Sequence, residues 1–275
     1  MKRTTARETI GKVDELIQNP QTLYRGSIIN KRGRTPGSEV PYSEIIAKRL
    51  LHTHNIPKLL KQLPKIPKGV DFRPTDHDGT LLDPTILGIE QENRVAVALY
   101  NHHALGELGR VIDYLIPIAP EGKHIGTIDL LSFNEETNTL FVIGYTHNEE
   151  RRDTLLHCIL ELATLRNSFD DERFVRSYAD LLVSSDGSPV EPKDVKVESA
   201  LLFLEGSYQD RSAAALKRMP HVADLMAAIG IRLFVVGVEL QLRDKARFNR
   251  KQATYPYRPV FHFMPVLKER KIVLL

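Results

Sequence analysis

"GTIDLLSFNEETNTLFVIGYTH", residues 126 to 147, decides how the rest of the chain is read. Two apolar-rich runs, 126 to 133 and 139 to 146, flank the polar turn "NEETN". Both are rich in the branched and aromatic residues that suit a pleated, half-buried surface, so the pattern predicts a hairpin. With the turn centred at Glu136, or between Glu136 and Thr137, antiparallel pairing sets Asp129 across from Ile143 or Gly144. Residues two apart share a face, so Gly144 and Thr146 point together beside Asp129. A hard cation such as Mg²⁺ takes one or two carboxylates with water and substrate phosphate, and a nearby lysine stabilises charge as a phosphodiester is attacked. Position 144 supplies no carboxylate and position 146 no lysine.

Working outward, "RVAVALYNHHALGELGRVIDYL" puts Val95, Leu99, Leu105, Leu108 and Ile112 near one stripe and predicts a helix between about Glu90 and Leu115. After the hairpin, "ERRDTLLHCILELATLRN" predicts a helix that buries Leu155, Leu156, Ile159, Leu160 and Ala163. "VESALLFLEG" and "IRLFVVGVEL" read as buried strands, and "SAAALKRMPHVADLMAAIG" as a helix between them that ends at Gly230. Near-continuous apolar strands separated by helices predict an α/β fold, a mixed central sheet flanked by helices with its parallel portion on the C-terminal side.

Of the 275 residues, 42% are hydrophobic and 27% charged, enough for a real core in one large or two small domains. A single cysteine, Cys158, excludes an intramolecular disulfide framework and a Cys-rich zinc module. The start "MKRTTARETI" lacks the apolar stretch of a secretory signal, so the cytoplasm is the expected location. The longest apolar run, "IRLFVVGVELQL", falls short of the ~20 residues a membrane-spanning helix needs. Charge is uneven: residues 1 to 70 hold 14 basic against 5 acidic side chains, residues 241 to 275 hold 9 against 2, and the middle is acidic. Basic ends either grip phosphate or neutralise the centre. The expected organisation is a basic N-terminal arm and helical segment at 1–89, an α/β core at 90–245 and a basic C-terminal strand segment at 246–275. Within the first part, residues 1 to 40 read as an irregular arm, and the helical "YSEIIAKRLLHTHNIPKLLKQL" is interrupted at Pro57.

The hairpin and the helix after it resemble the core of the PD-(D/E)XK nuclease superfamily. There an "IDLL"-type strand carrying Asp is followed by a turn, a strand ending Glu-x-Lys and a helix. The resemblance covers roughly residues 90 to 240 and implies a restriction-endonuclease-like core and Mg²⁺-dependent phosphodiester hydrolysis. Asp129 matches the family's aspartate. Gly144 stands where its Glu or Asp would be, and Thr146 where its Lys would be. The resemblance also implies a glutamate from the preceding helix, Glu107 or else Glu92, so that Asp129 and Glu107 would hold the metal. It implies a polar residue on the following helix, where His157 falls. Asp153, His157 and Glu161 recur every four residues, as a relocated ligand set or as a solvated stripe. His147, followed by Glu149 and Glu150, is a further donor set or the acidic start of a helix.

Three functions follow. The first is a nuclease-fold protein with a degenerate metal site that acts by binding nucleic acid or a protein. The second is an active Mg²⁺-dependent endonuclease in which Asp129 and Glu107 hold the metal and His147, His157 or Glu161 replaces the missing groups. The third is a scaffold or oligomerisation protein.

Other stretches are ambiguous. "DHDGTLLD", residues 76 to 83, resembles the signature of haloacid dehalogenase-like phosphatases, with Asp76 as nucleophile and Asp78 as acid, but no buried strand precedes it. A polar Asp-Gly turn explains the same letters. His102 and His103 are adjacent and cannot both face one metal on a helix. "RDKARFNRKQATYPYRPVFHF", residues 243 to 263, suits nucleic-acid contacts or an edge strand equally.

Overall fold

The computed structural model describes residues 4–66, 72–74, 77, 96–97, 99–101, 104–118, 125–146, 153–238, 241–242, 261–262 and 265–269. The hairpin forms where the sequence places it, as the middle of a mixed sheet. β1 (Arg110–Ile118), β2 (Gly126–Asn134) and β3 (Thr139–Thr146) are successive antiparallel neighbours. β4 (Lys196–Leu204) runs parallel to β3, and β5 (Ile231–Val238) parallel to β4. The short strands β6 (Gln241–Leu242) and β7 (Phe261–His262) pair with each other, while β8 (Pro265–Glu269) pairs antiparallel with β5. The described strands thus make a six-stranded sheet in the order β1-β2-β3-β4-β5-β8. The fold is α/β, with the parallel portion formed by β3, β4 and β5.

The helices are α1 (Ala6–Leu16), α2 (Tyr42–Lys48), α3 (Ile56–Lys61), α4 (Leu155–Arg166), α5 (Asp171–Arg176), α6 (Tyr208–Ala214) and α7 (Pro220–Ile229). α4 begins at Thr154, whose hydroxyl accepts the His157 N–H, and it buries the five apolar residues expected of it. Among the described residues no helix is long and apolar enough to cross a membrane.

Three expectations are corrected. Residues 90 to 115 do not form one helix, because Arg110–Ile118 is strand β1. Gly106 and Gly109 both take positive φ and break the helical path. A Cβ on Gly109 would lie 2.2 Å from the Phe133 carbonyl oxygen, so only glycine lets the chain turn this close to β2. Beyond it, Val111, Ile112, Ile116 and Ile118 are branched residues that suit the sheet edge. Nor are residues 1 to 40 an irregular arm. Thr5 and Glu8 form a capping box that starts α1, and Val13, Ile17, Leu23, Tyr24, Ile28 and Ile29 are buried in one cluster with sheet residues such as Ile128 and Val142. Finally, the helix expected across 212 to 230 is split, since Pro220 begins α7 as a separate helix from α6.

Long-range polar contacts lock the N-terminal helices to this core. Glu44 on α2 is buried and accepts the backbone N–H groups of His221 and Val222 and the His221 ring nitrogen, capping α7 from 177 residues away. Asp14 on α1 takes a bidentate contact from Arg49 at 2.8 and 2.7 Å and a contact from His54 at 2.7 Å.

Candidate functional site

β2 and β3 pair regularly from Asn134↔Thr139 to Leu130↔Ile143, and there their ladder ends. β2 continues beside β1 as far as Gly126, while β3 continues beside β4 as far as Thr146. The sheet therefore opens at Asp129. The irregularity reaches both neighbours of that residue. On the β1 side, Leu115 takes φ 49, a left-handed conformation that costs a non-glycine residue about 1 kcal/mol or more. On the β3 side, the Asp129 carboxylate accepts the Tyr145 N–H at 2.7 Å in place of a ladder partner.

A hollow of about 440 Å³ lies in this opening, with Cys158, Glu161, Leu162 and Leu165 of α4 over it. Asp129, Asp153 and Glu161 bring three carboxylates to its wall, and Arg25 brings a guanidinium. Asp153 is clamped from two distant parts of the chain. Asn30 donates to its carboxylate and Gln209 to its carbonyl at 3.1 Å. Arg25 donates to the Ile125 carbonyl at 2.7 Å, and the Tyr24 hydroxyl donates to the same oxygen at 3.0 Å. Burial raises the Tyr24 phenol above its ordinary pKa, against the lowering pull of its bond from Arg25. Cys158, buried at the same wall, has its thiol pushed far up by burial and further by the charges of Glu161 and Asp153. It is an inert thiol.

Both signature positions line the hollow, and apolar side chains border the first. A Cβ on Gly144 would sit 3.1 Å from Leu201 Cδ2 and 3.8 Å from the Leu162 side chain, so apolar groups of β4 and α4 border the space a ligand would need. Thr146 faces Cys158, with Oγ1 4.0 Å from the sulfur. Among the described residues no three His, Cys, Asp or Glu side chains come together to hold an ion.

The expected site is only partly assembled. Asp129 lines the hollow, but Glu107 does not reach it. Glu107 lies in the 3₁₀ turn Gly106–Leu108, its carbonyl accepts from Asn134, and its carboxylate takes Arg232 at 2.9 Å. Asn134 is five residues from Asp129 along β2, roughly 17 Å at 3.4 Å per residue. A metal pair of Asp129 and Glu107 is therefore excluded by placement. His157 is drawn aside, with Nδ1 2.9 Å from the Tyr24 carbonyl and Nε2 3.6 Å from Glu161. His147, Glu149, Glu150, Glu92, Asp76, Asp78, His102 and His103 lie outside the described residues, as does most of 243 to 263. Of the "DHD" stretch, His77 is described, and its Nδ1 lies 2.7 Å from buried Asp113, which also accepts the Tyr178 hydroxyl at 2.7 Å.

Sequence reading missed Arg25, Asn30 and Gln209. No local pattern marks them, since each reaches its partner across 56 to 124 residues. The four-residue spacing of Asp153, His157 and Glu161 was the one signal available, and Asp153 and Glu161 line the hollow. Comparison of the chain with protein-family models, curated proteins and solved structures returned no match.

Proposed function

We propose that this chain is a nuclease-like α/β protein whose metal-dependent hydrolytic site is degenerate and which acts by binding nucleic acid or a protein partner. One observation carries the reading: Leu201 and Leu162 pack against position 144, so apolar contact borders the place of the second metal ligand. Supporting it, Thr146 faces a buried thiol instead of presenting a cation. A fold outlives its chemistry when such positions are taken over by packing, because the sheet needs neither ligand nor cation to stay folded.

The test is cleavage of single- and double-stranded DNA and RNA by the purified chain with Mg²⁺ or Mn²⁺, with Asp129→Ala in parallel. No cleavage is the expected result. Cleavage that disappears in Asp129→Ala would overturn the degenerate-site reading in favour of an active Mg²⁺-dependent nuclease. That second reading is favoured by one observation, that Asp153 and Glu161 line the same hollow as Asp129. Binding measured across a salt series separates the partners, since a nucleic acid is released steeply as salt rises while a salt-insensitive complex points to a protein.

A further inference from the structure

We draw no further inference here: the strongest candidate, the side-chain cluster of His77, Asp113 and Tyr178 at the β1 edge of the sheet, joins the chain around His77 to the core by hydrogen bonds, and nothing in the structure shows what it would act on.

Discussion

Two hollows border α4, one beneath Cys158, Glu161, Leu162 and Leu165 and the other at Arg166, where the helix ends. The first has Asp129, Asp153, Glu161 and Arg25 on its wall, and the second Lys61, Lys65 and Arg166 with Asp171 and Glu198. Both carry charges of either sign, since Arg25 stands in the first and Asp171 and Glu198 in the second. Charge sign alone therefore says little about function in either hollow. What distinguishes them is how the polar groups are satisfied. In the first, Asp129 is held by Tyr145 and Asp153 by Asn30, and in the second Lys65 donates to the Asn167 carbonyl and Arg166 to Asp171. The contacts of the first are part-buried and those of the second exposed.

Gly144→Glu strikes hardest at this contrast. A side chain there meets Leu201 and Leu162 and should cost about 2 kcal/mol through overpacking beside apolar groups, read as a lowered urea midpoint. A neutral result, with new affinity for Mn²⁺, would break the view that packing has closed the position. Asp129→Ala should cost about 1.5 kcal/mol, because the Tyr145 N–H loses its acceptor. Thr154→Ala removes the cap of α4 and its bond to the Ile29 carbonyl, for about 1 kcal/mol. Arg166→Met, at the other end of the same helix, breaks a contact with a half-exposed Asp171 and should cost about 0.5 kcal/mol. If Arg166→Met costs more than Thr154→Ala, the Arg166 end of the helix is the more tightly built of the two.

Asp14 serves as a reference remote from both hollows. The Arg49 guanidinium, aided by His54 and opposed by partial burial, holds its carboxyl down from 3.8 to about 2. A carboxyl depressed in the folded chain contributes stability that is complete above its ordinary value and is lost as pH falls toward 2. Asp14→Asn should therefore lose less stability than the parent chain between pH 4 and pH 2, as measured by denaturant midpoints at each pH.

Much of the sheet was legible because its signals are local. The 126–133 and 139–146 runs, the apolar stripe of α4 and the buried β4 and β5 follow from residue spacing within ten or so positions. β1 escaped because Leu105, Leu108 and Ile112 fit a helical stripe by chance, while the decisive facts are two positive-φ glycines and an open strand edge waiting to be paired. Local periodicity cannot register that edge, which exists only once the hairpin has formed.

The candidate site divides in the same way. By itself the sequence determined the hairpin, the aspartate it carries and the absence of a carboxylate and a lysine at 144 and 146. Only the tertiary structure decided that the ladder opens at Asp129, that Glu107 lies at the wrong end of β2, and that Arg25 and Asn30 close the hollow from more than 90 residues away. The physical reason is that strand and helix identity is written in spacing along the chain. Which side chains meet in space depends on how the layers pack, and that packing is settled by buried contacts between segments far apart in sequence.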